Sequence, residues 1–304
     1  MKDRKVIVYA ASVFIIASVL LAIYFFAKKP VKISVPVLDE EKKVIVFKDV
    51  KYSGEKKGVI DWEIDAKIAR KYIEKPEIEM EDITGRYRPK ADVAVSFKGT
   101  RGSMNTEEER GSIEDVDFLY KNDYRLKSRH MDFDFKKGLT YTNAPVDIDG
   151  SKLTLRGIGL TANTNEEIVR IEKDVTGSIQ TEKGKYKFES DRFTYTLKDN
   201  LYVLEGRVIM KGEDMNLMCD KLILLSKDNE LEKIDANGKV RLISKGTIAK
   251  SGKAVYHFRE DRVVLTENPS ILKDNVEMAG ESIVYNMADK KFSINKPKMR
   301  MEKK

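Results

Sequence analysis

Two glycine-bearing stretches are the first places where this sequence could do chemistry. Gly157-Ile-Gly159-Leu-Thr-Ala162 has the G-x-G-x-x-A spacing that brings backbone close to a dinucleotide, and Gly246 to Lys253 resembles a phosphate loop with five intervening residues where four are required. Both sit in β-hairpin patterns, whereas phosphate capture needs a helix N-terminus, and no Ser or Thr follows Lys253. The two histidines, His130 and His257, have no Cys or His at ligand spacing, so a metal site is not expected. Asp132 and Asp134 alternate with Phe133 and Phe135, which reads as a solvated strand face rather than an acid/base pair. Cys219, the only cysteine, excludes an intramolecular disulfide and reads as a packing residue. No catalytic residue and no cofactor are expected.

What would position such groups is a repeat. Asp191 to Met210 reads as two strands around a polar turn: Phe193, Tyr195 and Leu197 alternate with polar residues, Lys198-Asp199-Asn200 interrupts, and Leu201, Val203 and Val208 resume. With a small residue as anchor, six hairpins align at Ser128, Gly157, Ser190, Cys219, Ser251 and Gly280, spaced 29, 33, 29, 32 and 29 residues apart. Two positions before each anchor stand Leu126, Leu155, Phe188, Leu217, Ala249 and Met278; three after stand Met131, Leu160, Phe193, Leu222, Ala254 and Ile283. Five after come Phe133, Ala162, Tyr195, Leu224, Tyr256 and Tyr285, and turns begin at Lys136, Asn165, Lys198, Lys227, Arg259 and Ala288. Second strands follow, as in Leu231 to Ile243 and Val263 to Leu272, so the repeat covers Asp123 to Met301.

The parity of these columns predicts shape. Anchor and minus-two share a strand face, as do plus-three and plus-five, but an odd step separates the pairs, so a regular strand would send them to opposite faces. A bulge or bend is therefore expected just after each anchor, with small anchors where backbone meets backbone. Strands that bend and continue across two facing layers describe an all-β, elongated β-jellyroll built from repeated antiparallel hairpins; a parallel β-helix is the competing solenoid. Upstream, Val44 to Val50, Ile60 to Ala66 and Ala91 to Phe97 look like strands with a degraded hairpin pattern, Ala66-Lys-Ile-Ala69-Arg reads as a helical turn, and Arg88-Pro89-Lys90 as a loop.

Val6 to Ala27 carries no charge over 22 residues, long enough for one transmembrane helix of roughly 33 Å, and lacks a small-residue cleavage site. Residues 1–29 are thus expected to be a cytoplasmic tail and anchor, and 30–43 a juxtamembrane linker. The formal charge is +7, but residues 1–29 hold five Lys or Arg against one Asp, which leaves the rest at +3 with both signs interspersed. That pattern gives no phosphate-tracking stripe and no expectation of nucleic acid as a partner.

The anchor, Trp62-Glu-Ile64-Asp-Ala66, Gly102-Ser-Met-Asn-Thr-Glu-Glu-Glu-Arg-Gly and Leu155-Arg-Gly157-Ile-Gly159-Leu160 together resemble the LptC-type subunit of the lipopolysaccharide export machine, over about residues 5–180. Asp214-Met-Asn-Leu217, Ile234-Asp-Ala236-Asn-Gly238-Lys-Val240 and Ala254-Val-Tyr256 are similar to the LptA/OstA-type jellyroll. The division this implies is 44–180 LptC-like and 181–304 LptA/OstA-like, about 120 residues beyond a typical LptC-type chain. The resemblance implies an inner-membrane, mostly periplasmic protein that takes lipopolysaccharide from an inner-membrane ABC transporter and passes it to a downstream LptA-like or outer-membrane component. It implies a lipid groove, for which Leu155, Leu160, Phe188, Phe193, Tyr195, Leu217, Leu222 and Leu224 are the candidate linings. An open sheet grown from hairpins must also end in unpaired edges that can accept a partner's strand, assigned to Phe47, Val50 and Tyr52 at one end and Phe292, Ile294 and Met299 at the other. A lipid-free β-scaffold and a membrane-tethered polysaccharide-active enzyme are the alternatives of different class.

Overall fold

Period-two alternation over more than ten residues at a time commits most of this chain to long antiparallel strands. A computed structural model describes residues 37–39, 43–56, 59–90, 93–120, 123–182, 184–213, 215–227, 230–288 and 291–301. The expected membrane span and most of the linker lie outside these residues; among the described residues no helix is long and apolar enough to cross a membrane.

Among the described residues twenty-two strands follow one another. They begin with β1 (Val37–Asp39), β2 (Val44–Lys56), β3 (Val59–Tyr72), β4 (Glu77–Lys90), β5 (Val93–Asn105), β6 (Arg110–Tyr120), β7 (Tyr124–Asp134) and β8 (Leu139–Asp149). The middle holds β9 (Leu153–Asn163), β10 (Ile168–Thr181), β11 (Gly184–Ser190), β12 (Arg192–Thr196), β13 (Leu201–Lys211), β14 (Asn216–Lys227) and β15 (Glu230–Ser244). The last are β16 (Thr247–His257), β17 (Arg262–Thr266), β18 (Ser270–Lys273), β19 (Val276–Ala279), β20 (Ser282–Asn286), β21 (Lys291–Asn295) and β22 (Lys298–Met301). From β2 to β10 each strand pairs antiparallel with the next, and the ladder continues without a gap where strands are split in two at a corner: β10 pairs β9 on one side and β11 and β12 on the other, and β16 pairs β15 on one side and β17 and β18 on the other. A parallel β-helix is excluded by this pairing.

The expected corners are present. Registers shift between Ser128 and Asp132, Lys173 and Thr176, Glu205 and Val208, Met218 and Lys221, and Asn237 and Val240. Elsewhere the strand breaks outright, at Asp191 between β11 and β12 and at Gly280-Glu281 between β19 and β20. The odd step therefore does what the parity demanded: Leu217 and Cys219 on one side of the corner, and Leu222 and Leu224 on the other, are all buried in one core. The ladder is one sheet folded along its line of corners into two layers with a shared apolar interior.

Why small residues occupy the anchor follows from the corner. At Gly157 a Cβ would lie 2.4 Å from Ile171 Cγ2 and 2.9 Å from the Lys173 carbonyl oxygen. Serine fits by turning its hydroxyl onto the bend: Ser128 Oγ donates to the carbonyls of His130 and Pro145 (both 3.1 Å), and Ser190 Oγ to that of Arg192 (3.0 Å). On the partner strand a left-handed residue completes the turn, as at Asp174, Gly206-Arg207 and Gly238-Lys239. The residue after the anchor pairs with this partner in Asp191–Arg207 (2.6 Å), Asp220–Lys239 (3.8 Å) and Glu281–Lys296 (2.6 Å). These pairs are exposed and contribute little stability each; burial of side chains such as Leu222, Ile271 and Ile283, at about 1.5–3 kcal/mol apiece, dominates.

Three upstream expectations are corrected. Ala66 to Arg70 is strand β3, not a helical turn: Ile64, Ala66 and Ala69 are all buried, and the three-residue step from Ala66 to Ala69 is a corner that mimics helical spacing. The hairpin pattern is not degraded there either, because Phe97, Gly99, Gly102 and Met104 on β5 stand at the same offsets as the downstream columns. Arg88-Pro89-Lys90 belongs to β4, at an irregularity between Tyr87 and Lys90, where proline's missing N–H interrupts no regular ladder. Within the expected linker, Val37–Asp39 forms the short β1 paired to β2.

Candidate apolar groove

Both layers of the folded sheet turn their alternate side chains into the same interior. All eight candidate linings are brought together there: Leu155, Leu160, Phe188, Phe193, Leu217, Leu222 and Leu224 are buried, and Tyr195 is half-buried against them. Tyr195 stacks on Tyr202 with ring centroids 4.5 Å apart, and burial pushes the Tyr202 phenol well above its ordinary pKa. In the N-terminal part the interior is filled by rings, with Phe133 stacked on Phe135 at 6.0 Å and Phe97 lying over Gly85.

The C-terminal part retains unfilled space. Two cavities of about 30 Å³ each open there, with room for only a water or two. Met215, Leu242, Val263 and Met287 line both; Tyr186 and Tyr256 belong to the first, Tyr285 and Phe292 to the second. Of the eight candidates Leu217 alone lines either of these two cavities. The missed lining had a signal in the sequence, since Met210, Met215 and Met287 put unbranched, pliable side chains into an interior otherwise rich in branched and aromatic ones.

The polar groups singled out earlier are structural. Asp134 is buried, not solvated as expected: it accepts from the Lys137 N–H (3.0 Å) and Arg110 Nε (3.1 Å), which outweigh desolvation and hold its pKa below the ordinary value. Asp132 meets His130 Nε2 at 3.2 Å, and Gly157 to Ala162 lies wholly in β9. Among the described residues no group of three His, Cys, Asp or Glu is arranged to hold a metal. Burial pushes the Cys219 thiol up to about 12. Alkylation of Cys219 by a thiol reagent at pH 8 should therefore be about a hundredfold slower in the folded protein than in denaturant; comparable rates would show an accessible anchor.

The family model described as lipopolysaccharide-assembly, LptC-related, matches residues 11–180, more than half of the chain. The chain belongs to the LptC-related family. Residues 187–291 match a second model, the LptA/(LptD N-terminal domain) LPS transport protein. A comparison with curated proteins finds no match. One similar solved structure is LptH, the LptA-homologous periplasmic component of the lipopolysaccharide transport device from Pseudomonas aeruginosa, at 17% identity, covering 41% of this chain and 99% of its own, with a TM-score of 0.38. The LptC-related and LptA/LptD-type segments meet between residues 180 and 187, where β10 and β11 are hydrogen-bonded neighbours from Val175↔Ser190 to Thr181↔Gly184. Membership in this family, with the second match, supports a role in lipopolysaccharide transport through a periplasmic β-jellyroll.

Proposed function

We propose that this protein is a membrane-anchored periplasmic segment of the lipopolysaccharide bridge, and that the acyl chains travel in the interior between its two layers. The observation that carries the reading is the apolar interior shared by the LptC-related and LptA/LptD-type segments along one uninterrupted ladder. Each methylene withdrawn from water is worth about 0.8 kcal/mol, so a gap in such a path would cost several kcal/mol per chain. The resting cavities are too small for an acyl chain, and entry requires the two layers to part at their turn-bearing rims while the corners hold. Val6 to Ala27 supplies the anchor, with the N-terminus cytoplasmic, and an inner-membrane ABC transporter supplies the energy.

Both ends of the ladder offer an edge. β2, thirteen residues long, carries Phe47, Val50 and Tyr52 and is met on its outer side by β1, which is only three residues long. At the other end β21 and β22 carry Phe292, Ile294 and Met299 and pair only inward, with β20 and β19. We assign the first edge to the transporter and the second to the downstream component, although Lys296, Pro297 and Lys298 protect part of the latter. Deleting residues 292–304 should leave copurification with the transporter intact while abolishing lipopolysaccharide transfer to the downstream component; normal transfer would make that edge a protected end. The reading itself requires lipopolysaccharide to copurify with the full chain. Protein that is lipid-free and cannot be loaded would overturn it.

A further inference from the structure

One rim of the groove is built from a repeated unit whose parts are unlike those of an ordinary solvated turn. The C-terminal ends of β7, β9, β12, β14, β16 and β20 are tied into a rail: the N–H groups of Phe135, Thr164, Leu197, Ser226, Phe258 and Met287 donate to carbonyls of the preceding turn or hairpin, at 2.8–3.1 Å. In two turns the groove tyrosine reaches this rail. Tyr195 Oη donates to Asn200 Oδ1 (3.1 Å), and Tyr256 Oη to Asp261 Oδ1 (2.7 Å). Glu260 is committed to Arg262. On top stand the exposed cations Lys198, Lys227 and Arg259, which form no ion pair among the described residues, with Asp199 the exposed carboxylate beside Lys198. Neighbouring turns are two strands apart, so the three cations spread over roughly 20 Å along the rim.

Two units, at Tyr195 and Tyr256, therefore present a ring facing inward with its hydroxyl tied to the rail and an exposed cation in the same turn, while the unit between them carries Leu224 and the exposed Lys227. We propose that this rim binds the anionic head of a phosphorylated, acylated lipid at successive stations, with phosphate on Lys198, Lys227 or Arg259 and the chain entering the groove beside Tyr195 or Tyr256. The site rests on the groove reading above and adds to it a reason for the lipid to hold one orientation. Ammonium and guanidinium donors suit phosphate, and their solvent exposure makes the contact salt-sensitive and easily released.

The test uses the full chain in phosphatidylcholine nanodiscs, with a photoreactive benzoylphenylalanine in place of Tyr285. Palmitoyl lysophosphatidate and palmitoyl lysophosphatidylcholine, identical in chain and different in head, are titrated at low salt. Half-saturation should favour the phosphate head by about tenfold. The triple variant Lys198→Gln, Lys227→Gln, Arg259→Gln should lose that preference and still crosslink the choline lipid, whereas Lys250→Gln on an outer face should keep it. Equal half-saturation in the unsubstituted protein, or a preference that survives in the triple variant, overturns the rim site. Inorganic phosphate competing as well as lysophosphatidate would make it a free-anion site and overturn the lipid assignment. Crosslinking of neither lipid would refute the groove itself, and the rim with it.

Discussion

Gly157→Val should destabilise the full chain by about 3 kcal/mol, at the upper end of overpacking costs, and move its denaturant midpoint accordingly. The new Cβ would meet Ile171 Cγ2 at 2.4 Å and the Lys173 carbonyl oxygen at 2.9 Å. The methyl sits on the β-branched carbon of the fully buried Ile171 and has little room to move, and the carbonyl belongs to the strand paired at the Lys173/Thr176 bulge, so the backbone itself must yield. An unchanged midpoint would mean that the corner tolerates bulk, and would remove the physical reason for the anchor column.

Replacing both Met215 and Met287 by arginine should reduce copurifying lipopolysaccharide by tenfold or more, because an unpaired charge in an apolar site costs at least the roughly 1.4 kcal/mol of a factor of ten. Both residues are half-buried and line the two cavities, so a long side chain can carry its charge to water when the groove is empty and must be desolvated when it is filled. Far-ultraviolet circular dichroism should stay unchanged. Phe193→Arg would be a poorer test, since Phe193 is 4% exposed and a charge there acts on folding first. Undiminished lipopolysaccharide in the double variant would favour a lipid-free scaffold.

Much of this architecture is legible in the sequence because a bend in a half-buried strand leaves an odd step in its hydrophobic pattern. Ser190, Phe193 and Tyr195 carry that step openly, and the turns at Lys136, Lys198 and Arg259 confirm its phase. At Ala66 and Ala69 the same step concealed the corner, since two alanines three apart also suit a helix, and only pairing with Ile83 and Met80 across β4 decides between them. Asp134 departs from the expectation for a related reason: period two assigns its face, but the Lys137 N–H of the turn that follows and Arg110 of the neighbouring β6, which hold its carboxylate, are not encoded in that alternation. The eight apolar candidates lie in the interior, yet columns cannot tell where packing is incomplete. That depends on how Met215, Leu242 and Met287 meet across the two layers, contacts that no single strand encodes.

Site-resolved photocrosslinking to lipopolysaccharide tests the groove most directly. Benzoylphenylalanine placed singly at Tyr195, Tyr256 and Tyr285 points inward, while at Thr194, Val255 and Val284, one residue away on the same strands, it points outward. Strong crosslinks at the three inward positions with background at the three outward ones are the expected result, whereas equal yields on both faces, or crosslinks confined to the outer one, would place the lipid outside the layers and contradict transport through their interior.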